Sequence, residues 1–531
     1  MAHNTDPALQ KQVIYSVYVR AHTPEGTFDA IVPDLDRIKA LGADYIWFMP
    51  IHPIGVKGKK GSLGCPYANR DYRAVNPAYG TMDDFRRLCD EIHKRGMKVM
   101  IDVVYNHTSP DSVLWETHPE FFYKKPDGTP GNHVGEWTDV IDLDYNVPAL
   151  WDYQIESLCQ WAKLVDGFRC DVASFVPVEF WKRARAAVEA VHPGVVWLAE
   201  SVHRSFGEEM RQRGLYCATD AEAFEAFDVE YEYDVRETFD AYLRGEMPLS
   251  AWTDALNAQE TEYPANYNKL RFLENHDQPR IASFVRSDSD LANNTAMLYF
   301  LKGATLLYAG QEWADDHLPS LFEQEPIDRA TGKDLTPLLK TLRAVKRDAL
   351  DADDAFFART MDKTDVAVMA RENADARKIG IFSLKSRPVS VELDVPDGSY
   401  VNLVDGTRVS VLFGSMRCDG KPIIFPISKY ITTIFCIIES ALSQDGADFF
   451  IFCSFPDSFP ALSHAEDPTI SGVKSICKTQ YSDFTSRRNQ SWSSHERTPF
   501  YPAGSSTCPW TRSTPIPPSR GATLTRTRCW S

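Results

Sequence analysis

From Val13 to Tyr308 the chain keeps returning to one unit, a short run of β-branched or aromatic residues followed by a longer amphipathic stretch. That alternation is the pattern of strand-helix units wrapped around a parallel sheet. Eight such runs can be counted: Val13 to Val19, Tyr45 to Met49, Val99 to Val104, Gly167 to Asp171, Val195 to Ala199, Phe227 to Tyr231, Leu270 to Leu273 and Thr305 to Tyr308. Eight units favour a closed (β/α)8 TIM barrel over an open sheet. The fold class is therefore α/β.

The intervening segments carry helix signals. "TMDDFRRLCDEIHKRG" begins on a Thr cap, has acids in its first turn and ends at Gly96, and "PVEFWKRARAAVEAVHPG" reads the same way. By contrast, Thr108 to about Tyr153 is rich in Pro, Gly, Asp and His and shows no helical period. It is expected to be a long excursion after the third strand, and long excursions at a barrel's catalytic rim usually shape the site.

From about Asp351 the period changes to alternation, as in "TDVAVMAR", "KIGIFSL" and "VSVELDV", which predicts a small antiparallel β-domain. Past Ile427 the composition turns to Ser, Pro, Thr, Arg and Cys without periodicity. The expected organisation is a catalytic barrel over 1–350 with an inserted loop domain at 106–153, a C-terminal antiparallel β-domain at 351–426, and an atypical, poorly ordered tail at 427–531 unrelated to the enzyme.

The formal charge of −17 argues against nucleic acid or an anionic membrane as partner, since both would repel such a surface. No run of about 18 apolar residues occurs, and the start lacks a basic flank followed by an apolar stretch, so a cytoplasmic body is expected. Eleven cysteines without a CxxC pair or Cys/His metal spacing fit reduced thiols better than a disulfide framework.

Four of the strands end in polar groups. Asp171, Glu200 and Asp277 each follow an apolar run, and "KVMIDVVYNH" adds Asp102, Asn106 and His107. Side chains alternate along a strand, so Arg169 and Asp171 share one face while Phe168 and Cys170 take the other. An arginine so placed is expected to depress the Asp171 pKa by roughly 1 to 3 units and keep it ionised as a nucleophile. The apolar approach "VVWLA" is expected to raise Glu200 so that it holds a proton for donation. Two carboxyls of unequal proton affinity are what glycosidic cleavage requires, with retention if they lie about 5 to 5.5 Å apart. His276 and Asp277 could grip sugar hydroxyls, and Tyr67, Trp137 and Trp313 offer aromatic platforms in loop-like segments at the rim. An isolated acid at a strand end is more often a cap or a surface charge; four together reverse that balance.

At these residues "DVVYNH", "GFRCDVAS", "WLAES" and "FLENHD" resemble, in order and spacing, the four motif regions of the α-amylase family of retaining glycoside hydrolases. The resemblance covers about residues 13 to 426. It implies Asp171 as nucleophile, Glu200 as acid/base and Asp277 as the carboxylate that fixes hydroxyls and stabilises the transition state. It further implies that Tyr67 stacks on the sugar being cleaved, that His107 and His276 bond its hydroxyls, that Arg169 positions the nucleophile and that Asp102 supports Arg169. No cofactor is implied, although Asn106 and Asp142 resemble two of the family's calcium ligands; two candidates fall short of a site of about six to eight oxygens. Ser174 and Phe175 stand where calcium-dependent amylases tend to carry Lys and His, while Val172 and "NHDQPR" resemble the oligosaccharide-cleaving α-glucosidase branch.

The expected activity is hydrolysis of α-1,4-linked glucose oligosaccharides, with maltodextrins as neutral partners. Transglycosylation and α-1,6 cleavage on the same site are alternatives. A magnesium-dependent enolase-type barrel would need a late Lys or His base and a metal cage, and a non-catalytic barrel would have no need of all three carboxylates.

Overall fold

The computed structural model describes residues 5–285 and 287–428. Eight parallel strands close into a barrel: β1 (Val13–Val17), β2 (Tyr45–Phe48), β3 (Lys98–Val103), β4 (Gly167–Cys170), β5 (Val196–Ala199), β6 (Val229–Tyr231), β7 (Lys269–Arg271) and β8 (Ala304–Tyr308). They neighbour one another in chain order, and β1 completes the ring by pairing Val13 with Thr305 and Ile14 with Leu306 of β8.

Alternation along each strand builds two cores. Tyr45 and Trp47 of β2, Val196 and Leu198 of β5, and Leu270 of β7 fill the barrel interior. Their neighbours Ile46, Phe48, Phe168, Cys170, Trp197 and Ala199 point outward and pack under the helices. The helix Met82–Lys94 carries the capping signature its sequence promises, with Thr81 and Asp84 exchanging side-chain and backbone bonds. Gly96 then turns the chain at φ +67°, a conformation that favours glycine.

The excursion after β3 is more structured than its composition suggests. Helices run over Val113–Thr117 and Pro148–Trp161, and His107–Thr108 pairs with Ile141–Asp142 in a two-stranded ribbon. The second helix starts five residues before the expected end of the excursion at Tyr153. Its signal is Pro148, which supplies a preset φ at a position needing no N–H donor.

Beyond the barrel, β9 (Ala355–Met361), β10 (Val366–Glu372), β11 (Ala376–Ser383), β12 (Val389–Glu392), β13 (Gly398–Val401), β14 (Arg408–Leu412), β15 (Ser415–Cys418) and β16 (Ile423–Ser428) form two antiparallel sheets. Their strand orders are β9-β10-β11-β16 and β12-β15-β14-β13. Period-2 burial works on both faces of β10: Val366, Val368 and Ala370 meet the second sheet, whereas Ala367 and Met369 join the core under the barrel helices. The last strand continues past Pro426, because Ile427 and Ser428 pair with Arg377 and Ala376. These two residues, expected in the tail, belong to the β-domain; the remainder of the expected tail lies outside the described residues.

Phe382 of β11 couples the β-domain to the barrel. Its fully buried ring lies 5.7 Å from that of Phe300, and Gly380 leaves the room, since a Cβ there would fall 2.6 Å from the Phe382 ring. Phe382→Ala is expected to cost about 3–5 kcal/mol by urea unfolding. A loss below about 1 kcal/mol would mean that this contact does not hold the two layers together.

Candidate active site

At the carboxyl ends of β3, β4 and β5, one guanidinium gathers three acids. Arg169 is fully buried, and its Nη1 donates to both oxygens of Asp102, at 3.0 and 3.1 Å, and to Asp171 Oδ1 at 2.9 Å. Its Nη2 forms an ion pair with Glu200 Oε1 at 2.6 Å. The register makes this unavoidable, since Arg169 pairs with Asp102 on one side and with Leu198 on the other, two residues before Glu200. Trp47, Tyr67 and Tyr231 surround the guanidinium carbon at 5.2, 5.6 and 5.4 Å from their ring centroids, a cation-π cage that offsets part of its lost hydration.

One positive charge against three carboxylates sets the electrostatics. Burial pushes Asp102, Asp171 and Glu200 all above the ordinary carboxylate range, with Arg169 pulling each of them down. For Glu200 the charges of Asp171 and Asp277 add to the rise. The expected depression of Asp171 by Arg169 is thus reversed. The guanidinium is shared with two other acids and cannot repay the desolvation of a carboxyl that is only 6% exposed. The three acids titrate as one system that retains a proton toward neutral pH.

The opposite wall comes from β7 and the loop after β2. Tyr67 Oη donates to Asp102 Oδ2 at 3.0 Å and lies 2.7 Å from His276 Nε2, with the two rings within 10° of parallel. His276 Nε2 is also 3.0 Å from Asp277 Oδ2. Burial opposes ionisation of Asp277, yet His276 and Arg169 overcome it and hold its pKa below the ordinary value. His107 approaches from the excursion, with Nε2 3.9 Å from Asp171 Oδ2, and burial lowers its pKa. Asp171, Glu200, Asp277, Tyr67, His107, Arg169, His276 and Asp102 thus form one connected cluster.

The sequence reading missed several neighbours. Asn275 accepts from the Asp277 backbone N–H at 2.9 Å and donates to Tyr233 Oη at 3.1 Å, and His203 packs its ring 4.4 Å from that of Tyr233. The alternation in "EYEYD" placing Tyr231 and Tyr233 on one face was the available signal. Val172, read from sequence as a branch marker, has a structural role: at φ 35° and ψ 45° it occupies the left-handed region, which a β-branched residue rarely adopts. That turn aims its N–H at Glu200 Oε2, 2.8 Å away, so about 1–3 kcal/mol of backbone strain fixes the acid's orientation.

Other expectations separate. Trp137 is in place, 5.5 Å ring to ring from His107. Trp313 is not a free platform, because Arg37 and Arg329 lie over its ring at 4.3 and 4.9 Å. The two calcium candidates, Asn106 and Asp142, each make contacts within the excursion. Asn106 Nδ2 contacts His107, Asp142 Oδ2 accepts from the His133 backbone N–H and contacts its Nδ1, both at 2.7 Å, and the buried Asp142 Oδ1 has no hydrogen-bond partner. Among the described residues no group of three or more His, Cys, Asp or Glu converges as a metal site. Asp142 anchors the excursion through His133.

Arg169→Met is expected to destabilise the fold by at least about 3–5 kcal/mol at neutral pH, since it strands buried carboxylates. Without the cation their folded-state pKa values climb further above the unfolded value near 4. A raised carboxylate pKa stabilises the fold below the unfolded value, and that contribution disappears as pH rises through the folded one. The deficit should therefore be smallest near pH 4 and widen toward pH 8 in denaturant titrations. A deficit independent of pH would contradict the shared-charge description.

Comparison with known proteins agrees with this architecture. The description "Alpha amylase, catalytic domain" matches residues 4–126 and 135–356, and "Bacterial Alpha amylase C-terminal domain" matches residues 357–425. The crystal structure of an α-amylase from Lactobacillus plantarum superposes with a TM-score of 0.77 at 42% identity, covering 80% of this chain and all of that one. An α-amylase from Haloarcula japonica is 27% identical over 423 residues, which is 75% of this chain and 58% of that protein. An α-1,4-glucan:maltose-1-phosphate maltosyltransferase from Pseudomonas aeruginosa is 33% identical over 204 residues, 34% of this chain and 31% of that protein. The chain thus spans little more than half the length of the first of these curated relatives and about a third of the second. With both family descriptions matched and the barrel closed around the motif residues, the chain belongs to the α-amylase family.

Proposed function

We propose that this chain is a retaining glycoside hydrolase that cleaves α-1,4-linked glucose oligosaccharides, with Asp171 as nucleophile, Glu200 as general acid/base and Asp277 as the third carboxylate. The observation that carries this reading is that one guanidinium touches both Asp171 and Glu200, so the two acids flank a single space.

The cluster retains a proton, and the reaction decides where it resides. As positive charge develops on the sugar's anomeric carbon beside Asp171, that carboxylate is favoured as the anion and the proton is left on Glu200. The C1–O bond then breaks, Glu200 delivers its proton to the departing oxygen, and Asp171 forms a C1–O bond to the ring. In the second half Glu200, now ionised, takes the proton of a water or sugar hydroxyl, whose oxygen attacks C1 and releases Asp171. Asp277 is the ionised carboxylate of the opposite wall, suited to hydrogen-bonding hydroxyls as the ring flattens. Tyr67 and His276 form the adjoining surface, and His107 faces it across Asp171.

Transfer to a sugar acceptor is the second reading, favoured by the likeness to an α-1,4-glucan:maltose-1-phosphate maltosyltransferase. We further assign the protein to a reducing compartment, the cytoplasm, on the strength of the six cysteines among the described residues, which are free thiols: Cys65, Cys89, Cys159, Cys170, Cys217 and Cys418. Among the described residues no helix is long and apolar enough to cross a membrane.

Asp171→Asn is expected to fold and to lose turnover, and Glu200→Gln to lose about 10² to 10⁴ in rate on maltotriose. Near-normal turnover in either variant would overturn the assignment. Product analysis of the wild-type protein on maltotriose, isomaltose and soluble starch distinguishes the readings: glucose and maltose from maltotriose support α-1,4 hydrolysis, longer products support transfer, and release from isomaltose alone would contradict the proposed linkage.

A further inference from the structure

Asp277 differs from the other acids of the site in how its backbone is held. Asp102 lies within β3, and Asp171 and Glu200 follow directly on the last residues of β4 and β5. By contrast, β7 ends at Arg271, well short of Asp277, and its ladder with β8 stops there, where Arg271 pairs with Thr305. Side chains hold the next two residues: Glu232 accepts from the Phe272 N–H at 3.0 Å, and Arg236 donates to Phe272 O and Leu273 O, both at 2.9 Å. From Glu274 onward the restraint is of another kind.

That restraint is a clasp inside the motif "ENHDQPR". Glu274 and Arg280 are both buried, and they close the loop at its base. Arg280 Nη1 donates to Glu274 Oε1 at 2.7 Å, and Glu274 Oε2 accepts from the Ile281 N–H at 2.8 Å. The rest of the guanidinium reaches the end of β8 and the loop after it. Nη2 donates to Ala309 O at 2.9 Å and Nε to His317 O at 3.2 Å, while the guanidinium carbon lies 4.4 Å from the centroid of the Tyr308 ring. Gly310, at φ +105°, allows this approach, since a Cβ there would fall 2.7 Å from Nη2. Above the clasp Asn275 bridges to Gln278, so His276 and Asp277 are the two central residues of the turn.

We infer that Arg280, clasped to Glu274, is the positioning residue that fixes the His276–Asp277 turn against the end of β8 and so places Asp277 across from Asp171 and Glu200. The inference rests on the hydrolase reading above and adds to it a residue that acts through Asp277. Arginine is required here because its planar fork serves acceptors on three segments at once, whereas an ammonium concentrates its donors at one point. Asp277 bonds hydroxyls as the ring flattens, so a displaced turn weakens the transition state more than the ground state.

Arg280→Lys keeps the charge and loses the fork; Glu274→Gln is the conservative variant, keeping one acceptor for Arg280. Each is checked for folding by circular dichroism and assayed on maltotriose, with kcat expressed per folded molecule. For Arg280→Lys kcat is expected to fall about 10²-fold with KM within about threefold of wild type, and for Glu274→Gln kcat is expected to fall about tenfold. The Ki of 1-deoxynojirimycin, whose cationic ring imitates the charge developing on the sugar, should rise in parallel with the loss of kcat/KM. A merely structural arginine would lower the melting temperature and leave kcat, KM and Ki of the folded molecules unchanged; that result overturns the inference, as does a rise in KM at constant kcat. Failure of both variants to fold assigns Arg280 to stability alone and overturns it too. Absence of maltotriose turnover by the wild-type protein overturns the hydrolase reading, and the positioning role with it.

Discussion

The Arg169 guanidinium is the point on which the site depends. A buried cation is costly, and so is each of the three carboxylates it meets; together they persist because Asp102 and Asp171 accept its N–H groups, Glu200 pairs with its charge at 2.6 Å, and three aromatic rings surround it. With three potential negative charges and one fixed positive charge, the cluster favours keeping a proton. The proposed reaction needs that surplus proton, provided that it can move to the acid when the nucleophile is called on as an anion. Arg169 therefore does more than orient Asp171: it couples the proton affinities of the two acids.

The barrel supplies the geometry. Because strands alternate, the residues at 102, 169 and 171 are directed inward from adjacent strands without special loops, and Trp47 and Tyr231 are directed to the same guanidinium from the strands two places away on either side. Loops then add what strands cannot. Tyr67 is brought in after β2, His107 starts the ribbon of the excursion, and the left-handed Val172 bends the chain so that a backbone N–H meets Glu200. Strain at Val172 beside the acids is tolerated because the strand before it and the anchored turn after it leave the chain no alternative path.

Much of this could be read from the residues. The eight strands were legible because parallel strands covered on both faces leave uninterrupted apolar runs, and the acids were legible because each terminates such a run. The helix Pro148–Trp161 was hidden by the Asp, Tyr and Asn residues before it, although Pro148 marked its start. The Asp171 proton affinity was misjudged since a local pairing with Arg169 is visible in "FRCD", whereas the sharing of that arginine with Asp102 and Glu200 is a tertiary fact. Trp313 illustrates the same limit: its loop position suggested an exposed platform, and Arg37 and Arg329, distant in sequence, lie over it. The contact between Asp142 and His133 was not legible either, because His133 comes from an irregular stretch that carries no periodic signal.

The central claim is that Asp171 attacks the sugar while Glu200 handles the proton. The most direct measurement is peptide mapping by mass spectrometry after the wild-type protein has been inactivated with a 5-fluoro-α-glucosyl fluoride, which forms the glycosyl-enzyme faster than it is released. The account predicts a single added glycosyl mass on the peptide containing Asp171. A label on Glu200, or steady inactivation without any covalent adduct, would contradict it.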